Sequence, residues 1–227
     1  MADEIKTSVR QESYSLDNDG SQGLVRLNRR GELVSPNWET QLVLDGRVFV
    51  VSNAANETAA ACGTASATYA DTDPAILLDV PNGTTAIPLE ILLNQGGTVA
   101  GGVICTLVCL DDKIRYSSGG VKITPQNMRY DEPRASTCPF YVGTTDIVSA
   151  AATDDTLLYG CFLDQDVGTI PNTDGTRLNW SSRRYIPPVL IGPASLVIYA
   201  YCATTQPSFW FTIKWAEFAT TEVIQTS

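Results

Sequence analysis

The stretch Phe209-Trp-Phe-Thr-Ile-Lys-Trp-Ala216 alternates with a period of two, and this restricts the fold more than any other feature of the chain. Successive side chains of an extended strand point to opposite faces. Phe209, Phe211, Ile213 and Trp215 therefore form one apolar row, with Thr212 and Lys214 on the other face, as a half-exposed antiparallel strand requires. Just upstream, Leu196, Ile198, Ala200 and Cys202 alternate with Val197, Tyr199 and Tyr201. Both rows there are apolar or aromatic, which predicts a central strand or one covered by a neighbouring subunit. Val103, Cys105, Leu107 and Cys109, alternating with Ile104, Thr106, Val108 and Leu110, read the same way. No amphipathic helical stripe of ten or more residues is present.

Further strands are predicted at 76–80, 86–94, 101–110, 120–124, 139–142, 157–163, 184–191, 195–203 and 208–219. Asp-Pro, Asn-Gly, Gly-Gly, Ser-Gly-Gly and Ile-Gly-Pro turns separate them, a cadence of sandwiches and barrels. A strand-rich region opens at 41–51, where Asp45-Gly46 is placed either in a hairpin turn or in one bent strand. Residues 53–70, rich in Ala, Thr and Ser, read as loop or ragged strand. Residues 1–40 hold few large apolar side chains and read as an arm, with a short ribbon at 23–27. The expected architecture is an all-β antiparallel jelly-roll sandwich over 41–227, two roughly four-stranded sheets preceded by an extended N-terminal arm.

Charge bears on partners. Against 25 acidic residues stand 15 basic ones, a formal net charge of −10, with no basic block. Direct nucleic-acid binding needs Lys and Arg to displace counterions from phosphates, so it is not expected. Arg29 and Arg30 form an isolated basic pair, assigned to a loop or interface. No apolar run reaches the ~20 residues of a spanning helix, and the polar N-terminus has no hydrophobic signal core. With no export signal, Cys62, Cys105, Cys109, Cys138, Cys161 and Cys202 are expected as reduced, buried thiols.

The chain contains no histidine, which excludes Ser-His-Asp and Cys-His nucleophilic pairs and His-based metal centres. Glycine loops of the phosphate- and dinucleotide-binding types are missing as well. The acid pairs Asp111–Asp112, Asp154–Asp155 and Asp164/Asp166 are the candidates for glycoside hydrolysis, which needs two carboxyls flanking a cleft. Each lies in a turn-like setting, and neighbouring acids point apart in an extended chain. Asp17-Asn-Asp-Gly20 begins like a calcium loop but has Asn28 at the position of the closing acid. Asn56, Asn82 and Asn179 fit the glycosylation pattern without an export signal to support it. The expectation is a non-enzymatic chain with no cofactor and no metal.

Aromatic side chains anchor protein interfaces and stack on sugars. Trp38, Trp180, Tyr185, Tyr199, Tyr201 and Trp210 are the candidates. Trp210 is expected on the outer face of the last strand, beside Thr212 and Lys214, as a subunit contact. Tyr199, Tyr201, Trp38, Arg29 and Arg30 complete the predicted interface set.

The pattern Ser195-Leu-Val-Ile-Tyr-Ala-Tyr-Cys-Ala203, a short turn, then Phe209 to Phe218 resembles the closing strands of viral single jelly-roll proteins. Val80-Pro-Asn-Gly-Thr-Thr-Ala-Ile-Pro-Leu-Glu-Ile-Leu-Leu93 is similar to a segment of bacteriophage virion proteins. The resemblance covers residues 76–219. It implies a virion structural protein of capsid, head-decoration or spike type, assembled in the host cytoplasm as a homo-oligomer, with a trimer favoured. RNA-packaging coat proteins often carry a basic arm, whereas this one is acidic. The resemblance therefore implies a decoration, cement, minor-capsid or spike role, with other virion proteins as partners and no membrane. The alternative is a carbohydrate- or receptor-binding sandwich.

Overall fold

A computed structural model describes residues 37–53, 59–96, 102–152, 156–165, 177–203 and 205–223. The chain divides into two units, Met1–Gln41 and Leu42–Ser227. In the first, the described residues open a short helix, α1 (Trp38–Leu44). Asn37 caps it: its Oδ1 accepts from the Glu39 N–H at 3.2 Å, and its carbonyl accepts from the Gln41 N–H.

Residues 41–44 were expected as strand, and they are helix. The reason is local. Gly46 sits at φ +66°, its N–H donates to the Val43 carbonyl and that of Arg47 to the Leu42 carbonyl. This is a Schellman termination, which satisfies two carbonyls that the helix end would leave open. Asp45-Gly46 is thus a turn, but between helix and strand. Leu42 and Val43 pack on Val48, Leu89 and Ala216, so the helical turn covers one end of a sheet.

The strands are β1 (Val48–Ser52), β2 (Ala60–Ala61), β3 (Thr64–Ala65), β4 (Ile76–Val80), β5 (Thr84–Gln95), β6 (Gly102–Asp111) and β7 (Tyr116–Ile123). They continue with β8 (Gln126–Asn127), β9 (Phe140–Ser149), β10 (Thr156–Gln165), β11 (Arg177–Ser181), β12 (Leu190–Ile191), β13 (Ala194–Cys202) and β14 (Ser208–Ala219). A one-turn helix, α2 (Thr220–Val223), follows. One sheet runs β11-β5-β14-β1-β8, with β12 on β5 and β2 on β14. The other runs β10-β6-β13-β4-β9-β7, with β3 on β13. All pairings are antiparallel except the two-residue β3–β13 contact.

The long pairings are nested in sequence. β1 pairs with β14, β4 with β13, β5 with β11 and β6 with β10. These contacts describe one antiparallel ribbon, folded at the chain's middle. The β5–β14 and β6–β13 ladders then bring successive lengths of that ribbon side by side. Each sheet is larger than the four strands expected, because the antiparallel β9–β7 pair extends the second sheet beyond β4, and short two-residue strands fill both.

Packing between the sheets follows the period-two reading. Phe209, Phe211, Ile213 and Trp215 are all buried. The Phe140 ring of the second sheet lies 6.0 Å from Trp215 and 6.1 Å from Phe211 of the first, near-parallel to both. Burial of such side chains stabilises by roughly 1.5–3 kcal/mol each. Of the strand predicted at 184–191 only Leu190–Ile191 is strand, as β12, and the residues before it form a turn and loop after β11. In β11, Leu178 and Trp180 point into the core. Their short alternation is flanked by polar residues, which hid it in the sequence.

Candidate functional site

The outer face of the second sheet is where the described charged groups converge. β13 is apolar on both faces, as the sequence predicted, and its outer row is covered by its own chain. Leu77, Cys109, Ile147, Val197 and Tyr199 form a buried cluster there, with Leu107, Tyr116 and Tyr141 packed around it. The Tyr116 and Tyr141 rings stack at 3.7 Å, and the Tyr69 ring lies 5.1 Å from that of Tyr199.

Arg115, wholly buried, holds this cover in place. Nη1 donates to Asp111 Oδ2 at 2.7 Å. Nη2 donates to Asp71 Oδ1 at 2.7 Å, to the Asp71 carbonyl at 2.8 Å and to the Tyr199 hydroxyl at 3.1 Å. Nε donates to the Ala150 carbonyl at 2.5 Å. All three guanidinium nitrogens are therefore engaged, and the charge is spent on joining loops. Burial works to lower the pKa of Arg115, but the hydrogen bond to Asp111 and the further contacts with Tyr199 and Asp71 raise it above its usual value.

Two further carboxylates complete the arrangement. Asp79 is buried in the otherwise apolar β4 and accepts from the backbone N–H of Arg115 and of Tyr116 at 3.1 Å, and from Ser195 Oγ at 2.6 Å. Asp71 accepts from the Ala152 N–H at 2.7 Å through Oδ2. Burial acts to raise its pKa, yet the Ala152 N–H and the Arg115 guanidinium outweigh it and hold the carboxyl below its usual range. Asp111 Oδ1 is buried with no hydrogen-bond partner, leaving a strong acceptor facing the interior.

A separate buried carboxylate, Glu217, is held by neutral donors. Oε1 accepts from Trp215 Nε1 at 2.7 Å and from Ser136 Oγ, and Oε2 accepts from the Thr137 N–H and Oγ1, both at 2.9 Å. This pins residues 136–138, just before β9, to β14. Burial and the neighbouring Glu217 push the Cys138 thiol up, and burial alone pushes Cys62 up to about 12. Cys62, Cys105, Cys109, Cys138 and Cys202 are all buried and form no disulfide.

The predicted interface residues are dispersed. Tyr199 has no surface to give a neighbour: it is 1% exposed, its hydroxyl donating to the Asp71 carbonyl at 3.0 Å. Of the two readings of this strand, the central one holds, and Tyr199, expected at an interface, is instead covered by Tyr69, Asp71 and Arg115 of its own chain. Tyr201 is half-buried with its ring 6.2 Å from that of Tyr69, and burial, then Cys105, raises its pKa. Trp210 does lie opposite the apolar row, but it is half-buried rather than exposed. A Cβ at Gly96 would fall 3.0 Å from its ring, so that glycine makes room for it. Trp180 belongs to the core, and Trp38 is exposed in α1. Arg29 and Arg30 lie outside the described residues.

Of the acid pairs, Asp111 is locked to Arg115 while Asp112 is exposed. Asp154, Asp155, Asp166, the Asp17–Gly20 segment and Asn56 lie outside the described residues, as does the side chain of Asp164. Among the described residues no three His, Cys, Asp or Glu side chains gather as metal ligands, and no helix is long and apolar enough to cross a membrane.

What sequence reasoning missed is the Arg115 cluster. Its signals were Asp79 within Ile76-Leu-Leu-Asp-Val80 and the acid–base spacing of Asp111 and Arg115. It also missed an apolar rim at 185–191, where Tyr185, Ile186, Val189 and Ile191 are exposed, Ile186 almost completely. The chain matches no protein-family model, no curated protein and no solved structure.

Proposed function

We propose that the chain is a non-enzymatic structural subunit of a virion, a jelly-roll protein of the capsid-associated decoration, cement, minor-capsid or spike kind. It assembles with copies of itself, a trimer foremost, and with other virion proteins, through strand faces and its N-terminal arm. Contact with nucleic acid or membrane is no part of this reading. The observation that carries it is the nested pairing of β1 with β14, β4 with β13, β5 with β11 and β6 with β10. Nested pairing within two facing antiparallel sheets supports the jelly-roll reading, in which one folded ribbon supplies two Greek keys. Fold alone does not name a function, so the acidic balance and the exposed rim at 185–191 add the second support.

Light scattering on the full chain tests the reading. A trimer or larger assembly that persists in a chelator is expected. A monomer whose melting temperature rises with added sugar would overturn it and favour the carbohydrate-binding alternative, since ligand that binds only the folded state raises apparent stability. Removing residues 1–40 should weaken assembly or docking to a larger particle, and unchanged assembly would remove the arm from the interface.

A further inference from the structure

We propose that residues 66–73 form a strap latched over the outer face of the second sheet by Asp71, and that Arg115 passes to the unpartnered oxygen of Asp111 when the latch opens. The strap is anchored at both ends. Before it, β3 pairs with Tyr201 and Cys202 of β13. After it, the Ala75 N–H donates to the Ile198 carbonyl and the Ala75 carbonyl accepts from the Gly143 N–H, both at 2.8 Å. Between these anchors Ala67, Thr68, Tyr69 and Thr72 are exposed, so little burial holds the segment down.

Asp71 gathers most of the ties in the middle. Its carboxylate takes Arg115 Nη2 and the Ala152 N–H, and its carbonyl takes Arg115, the Tyr199 hydroxyl and Ser149 Oγ. The adjacent Thr72 carbonyl accepts from the Ser149 N–H at 2.9 Å. The Tyr69 ring lies against those of Tyr199 and Tyr201. Beneath are the apolar side chains of Leu77, Cys109 and Val197, which the closed strap helps to keep from water.

Two observations give Arg115 a second resting place. Asp111 Oδ1 is buried with no hydrogen-bond partner, on the same carboxylate whose Oδ2 already holds Nη1. A planar guanidinium can take both oxygens of one carboxylate, so this acceptor is met when Arg115 leaves Asp71. The Asp71 side chain is 35% exposed, whereas Arg115 and Asp111 are wholly enclosed. Asp71 is thus the carboxylate of the pair that solvent protons reach. Its release leaves no unpaired cation inside, because Asp111 stays with Arg115. Among the described residues, the other titratable groups around this latch are Asp79 of β4, Tyr199 of β13, Lys113 on the Ala151 carbonyl, and Tyr69 and Asp73 of the strap. Burial works to raise the Asp71 pKa, but the Ala152 N–H and Arg115 outweigh it. The latch is therefore closed above the usual carboxyl range and opens as pH falls through the folded pKa. None of this depends on how the chain assembles.

Residue-resolved hydrogen exchange and hydroxyl-radical footprinting of the full chain, from about pH 6 down to about pH 3, test it. The Ser149 and Ala152 amides, which donate to the strap, should lose protection by about tenfold while the β5–β14 ladder keeps its own. Tyr199 should become oxidisable over the same range. Asp71→Asn should reproduce both changes at neutral pH. Adding Asp111→Asn to that variant should destabilise by more than the two single changes together, since Arg115 then has neither carboxylate. Protection lost at Ser149 and Ala152 only in step with the β5–β14 ladder would mean that strap and sheets open as one, and the proposal falls. Unchanged exchange in Asp71→Asn removes Asp71 as the latch. Strictly additive losses in the double variant overturn the transfer to Asp111.

Discussion

Arg115 donates to Asp111 at 2.7 Å, four residues back along the chain, with neither side chain reaching solvent. A guanidinium in such a place stabilises only because every neighbour answers it, and removing one partner leaves an unpaired buried charge. Arg115→Ala should therefore lose about 3–5 kcal/mol of unfolding free energy in denaturant titrations. Arg115→Lys should recover little, since one ammonium cannot span Asp111, Asp71 and the Ala150 carbonyl as the planar fork does.

Asp71 sets an acid limit. Its pKa in the folded chain lies below the ordinary 3.8, so its contribution is fully present above that value and is lost as pH falls through the folded pKa. Stability measured by denaturant from pH 6 downwards should begin to drop at about pH 4, and Asp71→Asn should flatten that part of the profile. An identical slope in the variant would remove Asp71 as the titrating group.

Glu217 faces only donors, two on each oxygen. Glu217→Gln places an NH2 group against two of them in either orientation of the amide. A loss of about 1–3 kcal/mol is expected, with near-UV changes from Trp215, whose indole N–H donates to this carboxylate.

Gly63 adopts φ +106°, and a Cβ there would stand 2.1 Å from the Ala200 carbonyl oxygen. Gly63→Ala meets both backbone strain and a backbone clash, so it should destabilise by more than about 1 kcal/mol and raise exchange at the β3–β13 contact. Full stability in the variant would mean that this close approach relaxes freely.

Thiol reagents should leave Cys62 and Cys138 unmodified in the native chain and label them on unfolding, as burial favours the neutral thiol at both. Site-resolved mass spectrometry reads this directly. Rapid native labelling of Cys62 would show that the core around it opens.

The alternation in 208–219 was legible because each residue's face in a strand depends only on its parity along the chain, and the short apolar run at 76–80 was legible from the turns that bound it. Those two ranges match β14 and β4 to the residue. Asn37 and Gly46 carried the signals of the helix at 38–44, yet the apolar run Leu42-Val-Leu44 reads equally as strand, and only the cap and the Schellman bonds decide it. Tyr199 shows the other limit. Its alternation told that a covering existed, but whether Tyr69, Asp71 and Arg115 or another subunit supplied it depended on contacts between segments up to 128 residues apart. Local periodicity thus determines that a face is apolar. What lies upon it follows from long-range closure of the sheets, because a polar cluster such as Asp71, Asp79, Asp111 and Arg115 is stable only when distant parts of the chain meet at hydrogen-bonding distance.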